Sequence, residues 1–245
     1  MITVLCVRFG NKYGPDYVEK LRNMVSRHLT VPYEFVCLTD SQHPIDGVRS
    51  IVIPNQGYAK GWWHKVHMFD PSLGLSGRVL YFDLDIIIHD NINKLVKTTN
   101  DDFLGIRDFN RKFHAGWSVL NSSALSWIAG QHSELFVNFK NNPSRAQKLH
   151  GDQDWIWQEA KSKIKFWPDA WIQSYKWEIR DKSEIIMQHG KRGFKTIRNP
   201  NIVEGQPISE AHRLFGDIDQ YNVYRKMAQW NWTDSLENAF RKLYL

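Results

Sequence analysis

The stretch Arg78-Val79-Leu80-Tyr81-Phe82-Asp83-Leu84-Asp85-Ile86-Ile87-Ile88 decides the fold. Its apolar, β-branched and aromatic residues predict a buried strand. Side chains alternate across a strand, so Asp83 and Asp85 share one side. Two neighbouring carboxylates repel each other, and burying them unpaired costs several kcal/mol per ion. Because a divalent cation removes both costs, we predict an Mg²⁺ or Mn²⁺ site here. A pair of solvated carboxylates at a strand end is the alternative.

Strands and helices alternate on the N-terminal side of this stretch. Apolar runs predict strands at Ile2 to Val7, Tyr33 to Leu38 and Val48 to Ile53, with helices from Pro15 and over Trp63 to Phe69. This alternation predicts an α/β fold, in which a mostly parallel central sheet carries helices on both faces. Ligands bind beyond the carboxyl ends of such strands, where the two aspartates lie.

The chain continues with elements that are less regular. We predict strands over 102–106 and 117–121, a helix or helix pair from Ser123 to Phe139, and a short late strand at 185–187. Acidic residues open a further helix, Trp155 to Lys161, where N-capping competes with any catalytic role. Residues 209–245 show a helical and aromatic pattern.

Composition places the chain among ordinary globular proteins, with 42% hydrophobic and 24% charged residues. A net charge of +6 favours anionic partners, including nucleic acid and nucleotides. Cys6 and Cys37 each lie in an apolar run, which indicates free thiols in a reducing compartment. We find no signal peptide and no apolar run of transmembrane length, so we expect a soluble cytoplasmic protein.

Five motifs occur in a familiar order. They are Trp62-Trp63-His64-Lys65, Asp83-Leu84-Asp85, Phe113-His114-Ala115-Gly116, Gly151-Asp152-Gln153-Asp154 and His189-Gly190-Lys191-Arg192-Gly193-Phe194-Lys195. This order resembles the GT-A glycosyltransferases, above all family 8, the type that includes glycogenin and bacterial galactosyltransferases. The likeness spans about residues 1–200 and extends to uncharacterised bacterial and phage members with a similar Phe166 to Trp177 segment.

The resemblance implies a role for each matching residue. Asp83, Asp85 and His189 would hold Mn²⁺ or Mg²⁺, and Asp152 with Gln153 would lie against the donor sugar as the catalytic pair. Candidate acceptor contacts are Trp167, Trp171 and Lys176. The implied donor and nucleotide contacts are Val7, Arg8, Tyr13, Thr39, Asp40, Lys65, Asp83, His114, Ala115, Gly116, Gly190, Lys191 and Lys195.

The sequence departs from the family pattern at three places. The spacing of His189-Gly190-Lys191 is shifted, which would let Lys191 share the phosphate role of Lys195. His114 stands where the family has asparagine, which bears on the sugar preference. Lys195-Thr196-Ile197 replaces the usual Lys-Pro-Trp, so the aromatic residue of that pattern is missing or displaced.

The resemblance implies a Rossmann-like GT-A catalytic domain over residues 1–205, followed by a C-terminal helical extension over 206–245. The implied activity is metal-dependent transfer of a hexose or pentose from a nucleotide donor, expected to be a UDP-sugar, with retention. The acceptor would be a saccharide, a lipid-linked glycan or a hydroxymethylated base in phage-type DNA. Two alternatives remain: a nucleotidyltransferase of related fold, and a non-enzymatic nucleic-acid-binding module.

Overall fold

The computed structural model describes residues 1–58, 60–88, 90–97, 102–109, 118–174 and 185–187. These residues form two compact units. The first contains Met1–Val18, Val31–Leu84 and Asn93–Trp167; the second contains Glu19–Thr30, Asp85–Ile92 and, in its last segment, 168–174 and 185–187. The predicted boundary between residues 205 and 206 and the C-terminal helical extension lie outside the described residues.

The described residues form a series of strands and helices. In chain order they are β1 (Ile2–Arg8), α1 (Pro15–His28), β2 (Tyr33–Thr39), β3 (Arg49–Val52), a 3-10 helix (Gly61–Phe69), a 3-10 turn (Pro71–Leu73), β4 (Arg78–Phe82), β5 (Ile86–Ile88), α2 (Asn93–Val96), β6 (Phe103–Arg107), β7 (Leu120–Ile128), α3 (Glu134–Asn141), α4 (Pro143–Ala146), α5 (Asp152–Ala160), β8 (Ile164–Phe166), β9 (Ile172–Ser174) and β10 (Ile185–Met187).

The first unit is built on a seven-stranded sheet with the order β3-β2-β1-β4-β7-β6-β8. Four of its six strand pairings are parallel, and β7 runs antiparallel to both of its neighbours. A mixed α/β fold with a mostly parallel sheet is therefore confirmed. Buried side chains from β1, β2, β4, β7 and α5 join in one apolar cluster, and its removal from water stabilises this unit.

The second unit contains a three-stranded sheet with the order β5-β10-β9. Here β10 runs antiparallel to β5 and parallel to β9, so the predicted late strand at 185–187 is confirmed. The end of α1 joins the same unit, because the Ile92 amide donates to the carbonyl of His28 at 2.9 Å. None of the helices described combines the length and apolar character that crossing a bilayer requires.

The structure corrects two predictions. The run from Arg78 to Ile88 is not one strand: β4 ends at Phe82, and β5 belongs to the other sheet, so Asp83-Leu84-Asp85 is a connection. The predicted helix or helix pair over Ser123 to Phe139 is wrong in its first part, since Ser123 to Ile128 lies within β7, whereas α3 confirms a helix at its end. The cause is tertiary, because β7 fills the space between β4 and β6 and exchanges backbone hydrogen bonds with both.

Gly77, which precedes β4, offers a test of the fold. Its φ is +66°, and an added Cβ would lie 2.0 Å from the Met1 carbonyl oxygen. We expect Gly77→Ala to lower the free energy of unfolding by about 2 kcal/mol or more, from backbone strain plus this clash. Gly74→Ala is the matched control, because Gly74 has φ +65° but open space around it. Urea unfolding of both variants measures the difference, and equal losses would contradict the clash.

Candidate active site

Three parallel strands, β4, β1 and β2, end at the same edge of the sheet, and the candidate site begins there. The register pairs Arg8 of β1 with Thr39 of β2, and Leu5 of β1 with Tyr81 of β4. The residues that follow these strands therefore lie at a similar level along the strand direction. Asp83 follows β4 directly, and its amide donates to the Ser123 carbonyl of β7 at 2.9 Å. Backbone hydrogen bonding thus fixes Asp83 at the sheet edge where ligands bind in α/β folds.

Lys65 connects two of the predicted site residues. Its Nζ lies 3.1 Å from Oδ1 of Asp83 and 2.9 Å from Oδ2 of Asp152. The ammonium group is buried, with only 10% of the side chain exposed, and it is presented by the 3-10 helix Gly61–Phe69. The structure therefore brings together three residues that lie far apart in sequence. Lys65 is therefore not a solvent-exposed surface lysine.

Two hydroxyl groups complete this cluster. Tyr81 Oη donates to Oδ1 of Asp83, and Ser122 Oγ donates to Oδ2 of Asp152 while accepting from Lys65 Nζ at 3.0 Å. One oxygen of each carboxylate, Oδ1 of Asp83 and Oδ2 of Asp152, therefore contacts both the lysine ammonium and one hydroxyl group. We call Lys65, Tyr81, Asp83, Ser122 and Asp152 the lysine-bridged acid pair.

The charges in the lysine-bridged acid pair stabilise one another. Burial by itself would raise the pKa of Asp83, but the Lys65 charge and the hydrogen bonds of Tyr81 and Ser123 hold that pKa below its ordinary value. Burial would lower the pKa of Lys65, yet Asp152 and Asp83 raise it above its ordinary value. Burial and the neighbouring Asp83 also raise the pKa of Tyr81, so its hydroxyl stays a proton donor. At neutral pH, Asp83 and Lys65 are both charged.

The predicted nucleotide contacts from the N-terminal part of the chain lie at the ends of β1 and β2 and on the loops that follow them. Arg8 Nε donates to the Tyr13 carbonyl at 3.0 Å, and the Gly10 amide donates to Oδ2 of Asp40, also at 3.0 Å. The Thr39 hydroxyl accepts from the Ser41 amide at 3.1 Å. These hydrogen bonds shape each loop, and the Asp40 contact ties the two loops to each other. Val7, the last of this group, is half-buried.

Stacked aromatic rings lie beside these loops. The rings of Phe9 and His64 stack with centroids 4.1 Å apart and an angle of 14° between them. His64 Nδ1 lies 2.9 Å from the Gly61 carbonyl, while Nε2 accepts from the Gln56 amide. This bonding requires the neutral tautomer with a proton on Nδ1. The 3-10 helix therefore supplies both the lysine of the acid pair and a ring beside the predicted base pocket.

Asp152 and Gln153 were predicted to act as a pair, but their side chains separate. Asp152 is buried in the lysine-bridged acid pair, whereas Gln153 lines a cavity of about 460 Å³ on another face of α5. Gly151 is the N-cap residue of α5, and the Asp154 carboxylate accepts its amide hydrogen. That bond is one half of a capping box, so Asp154 has the helix-capping role anticipated as the alternative.

The remaining predicted residues divide into those described and those not described. Trp167 is only 2% exposed and its ring is part of the core, so little of its surface faces an acceptor; the predicted contact stays a prediction. Trp171 is half-buried, and Asp85 is a half-buried residue of the second unit. The predicted residues that lie outside the described part of the chain are His114, Ala115, Gly116, Lys176, His189, Gly190, Lys191 and Lys195.

The metal prediction rests on Asp83, Asp85 and His189. Asp83 fits a hard cation, since its pKa is held low and 23% of its side chain is exposed. Within the ranges that the structure describes, no group of three or more potential His, Cys, Asp or Glu ligands comes together. The three-residue metal site therefore stays a prediction, and Asp83 is the member whose surroundings are known.

Sequence reasoning missed two residues of the cluster. Tyr81 precedes Asp83 by two positions, which in an extended chain places both side chains on one side, so this contact could have been found. Ser122 carries no such signal, because a serine hydroxyl beside Asp152 depends on how β7 packs against α5. Only the tertiary structure reveals it.

Comparison with solved structures identifies the architecture. The chain superposes on the glycosyltransferase GlyE of Streptococcus pneumoniae TIGR4 with a TM-score of 0.62 and 12% identity, over 94% of this chain and 66% of GlyE. For galactosyltransferase LgtC, in complex with donor and acceptor sugar analogs, the TM-score is 0.64 at 11% identity, over 88% of this chain and 97% of LgtC. For the bifunctional glycosyltransferase WbbM the values are 0.59 and 14%, over 91% of this chain and 51% of WbbM.

Sequence comparison adds nothing to this result. No protein-family model matches the chain, and no curated protein matches it. The identities to the solved structures are low, so what the likeness establishes is the fold. The chain has the mixed α/β architecture of the GT-A glycosyltransferases.

Proposed function

We propose that this protein is a glycosyltransferase that moves a sugar from a nucleoside-diphosphate donor, expected to be a UDP-sugar, to an acceptor hydroxyl. The observation that carries the proposal is the lysine-bridged acid pair, which lies at the carboxyl edge of a GT-A sheet. The acceptors open to such an enzyme are a saccharide, a lipid-linked glycan and a hydroxymethylated base in phage-type DNA.

The chemistry explains why acids and a lysine would meet here. Sugar transfer breaks the bond between the anomeric carbon and a phosphate oxygen, so negative charge grows on the departing diphosphate. A divalent cation held by Asp83, with Asp85 and His189 as further ligands, would neutralise that charge. Asp83 is ionised at neutral pH, as metal ligation requires, because Lys65 and Tyr81 hold its pKa low.

In this proposal Lys65 holds two acids together inside a site that is largely closed to water. Without the lysine, Asp83 and Asp152 would repel each other, and burial would favour the neutral form of Asp83. Lys65 and one hydroxyl contact the same oxygen of each acid. In this proposal Asp83 would bind the metal through its second oxygen, and Asp152 would bind a sugar hydroxyl through its own second oxygen. Lys65 therefore acts through the acids, in addition to any direct contact with the donor.

A donor-turnover assay tests the proposed activity. The full chain is incubated with a panel of nucleotide sugars, with Mn²⁺ or with a chelator, and the released nucleoside diphosphate is measured. We expect one donor class to be turned over, and only with metal. If no nucleotide sugar yields a diphosphate while a nucleoside triphosphate yields pyrophosphate, the nucleotidyltransferase alternative replaces this proposal.

Ser122 gives a prediction about positioning. Ser122→Ala removes the hydroxyl that orients Asp152, and we expect kcat to fall about tenfold with little change in KM, as when a supporting partner of a site residue is lost. The free energy of unfolding should fall by about 1 kcal/mol, the usual cost of one hydrogen bond. Ser122→Thr, which keeps the hydroxyl, should recover part of the rate.

The control for this variant is Ser144→Ala. Ser144 is exposed, and its hydroxyl donates to Asn142 at the start of α4, away from the acid pair. Steady-state kinetics of Ser122→Ala, Ser122→Thr and Ser144→Ala measure kcat and KM for each variant. A Ser122→Ala enzyme with unchanged kcat would show that Asp152 does not need this hydroxyl.

A further inference from the structure

One face of α5 lines a cavity that the lysine-bridged acid pair does not use. The cavity has a volume of about 460 Å³, inside the range of about 300–1,000 Å³ found for small-molecule sites. The residues of α5 that line it are Gln153, Asp154, Trp157 and Gln158. Gln153 and Trp157 are four residues apart, and so are Asp154 and Gln158. Because residues at this spacing are neighbours on a helix surface, the four side chains form one continuous face.

The other face of α5 explains why this cavity lies beside the candidate site. Asp152, Trp155, Ile156 and Ala160 are buried, and Asp152 reaches Lys65. Gln153 is the next residue along the helix, so one turn carries both an acid-pair residue and a cavity-lining residue. A molecule in the cavity therefore contacts the same helical turn that carries the residue we assign to the donor sugar.

The lining of the cavity has the chemistry that sugars require. Trp157 supplies an apolar aromatic surface, and its ring is supported by Phe166 with centroids 6.0 Å apart. Such a surface packs against the C–H face of a pyranose. The amides of Gln153 and Gln158 each offer donors and an acceptor to hydroxyl groups. This combination of one aromatic plane with neutral amides suits an uncharged polyhydroxylated ligand.

The charges of the lining argue against a polyanion. The cavity is lined by one acid, Asp154, and by two basic residues, Lys148 and His150, whereas nucleic-acid binding needs a longer basic stripe. The Asp154 carboxylate accepts hydrogen bonds from the backbone of Gly151 and Ser118, which fixes the wall where α5 begins. Burial also raises the pKa of Asp154. Among the acceptors open to the proposed enzyme, a saccharide fits this lining best.

We propose that this cavity is a binding site for a neutral saccharide and that it receives the sugar part of the acceptor. The first half of the proposal stands on the cavity alone. The second half rests on the proposed function, because only a glycosyltransferase needs an acceptor beside the donor sugar.

The test is ligand-observed saturation-transfer NMR on the full chain, without nucleotide and without metal. The probes are lactose, maltose and chitobiose at tens of millimolar. We expect at least one of them to bind, and Trp157→Leu, which keeps an apolar side chain, to weaken that binding about tenfold, since the aromatic face is lost. Gln158→Ala changes an exposed residue and should weaken binding about threefold, the effect of one modest hydrogen bond.

The matched control is Gln42→Ala, which removes an exposed glutamine from the loop after β2 and should leave binding unchanged. Absence of binding by all three sugars, or equal binding by wild type and Trp157→Leu, would overturn the proposal. So would a DNA duplex that binds in a Trp157-dependent way in place of the sugars. Because no donor is present, an enzyme that releases nucleoside diphosphate but binds no saccharide refutes the cavity assignment alone.

Discussion

Lys65→Met is expected to destabilise the first unit by about 3–5 kcal/mol at neutral pH, the cost of breaking a buried ion pair by removing one partner. Lys65 lies within 3.1 Å of both Asp83 and Asp152, and its side chain is 10% exposed. Methionine has a similar length but no charge, so both carboxylates would be left buried without a cation. Urea unfolding followed by circular dichroism measures the loss.

The effect of Lys65→Met should depend on pH in a defined direction. The folded-state pKa of Asp83 is lowered in the wild type, so its stabilisation is present above the unfolded pKa of about 3.9 and is lost as the pH falls through the folded value. In the variant that pKa rises, because burial is no longer opposed by the lysine. The difference in stability between wild type and variant should therefore be largest near pH 7 and shrink below about pH 4.

Lys163→Met is the matched control. Lys163 pairs with Glu134 at 2.6 Å, but its side chain is 51% exposed. Surface pairs contribute about 0–1 kcal/mol, so this variant should lose little stability at any pH. Equal losses for the two variants would mean that Lys65 does not hold the two acids together.

Asp83→Asn carries the largest expected effect on activity. The change keeps the shape of the side chain but removes the negative charge that would bind the cation. We expect kcat/KM for sugar transfer to fall about 1,000-fold, in line with the loss of a group that stabilises transition-state charge. The fold should survive, because Lys65 keeps its partner Asp152. Initial rates with the cognate donor and saturating Mn²⁺ measure the loss.

Asp46→Asn controls for a change of one acid to its amide. Asp46 is exposed in the loop between β2 and β3 and should leave the rate unchanged. Circular dichroism of both variants separates loss of function from loss of fold. Transfer by Asp83→Asn within about threefold of the wild-type rate would remove Asp83 from the mechanism, since even one lost transition-state contact costs about 100-fold.

The sequence was sufficient to predict the architecture of the first unit up to β4. The apolar runs of β1 and β2 and the helical spacing in α1 are strong local signals, and the structure confirms all three elements. Local signals failed at Ser123 to Ile128, where an alternating run of small, apolar and polar residues was read as a helix. Pairing with β4 and β6 decides that segment, and such pairing is not encoded locally.

The candidate site shows a similar division. Asp83, Asp152 and Lys65 were selected from motif order, and the structure brings their side chains within hydrogen-bonding distance of one another through the lysine. Their catalytic roles stay predictions. Ser122 and the cavity beside Trp157 could not be predicted, because both arise where β7, α5 and the segment before α5 meet. The burial of Trp167 could not be predicted either, because an aromatic-rich segment does not reveal which ring is buried.

Metal-dependent donor binding is the most direct test of the central claim that Asp83 helps a cation to hold a nucleoside diphosphate. Thermal unfolding is followed for wild type and Asp83→Asn with a panel of UDP-, GDP-, CDP- and dTDP-sugars, with Mn²⁺ or with a chelator. A donor at about 100 times its Kd stabilises the protein by about 2.7 kcal/mol, which corresponds to a rise in Tm of several degrees. The account predicts this rise for one donor class, only with Mn²⁺ and only in the wild type. A rise of the same size with the chelator, or in Asp83→Asn, would contradict it.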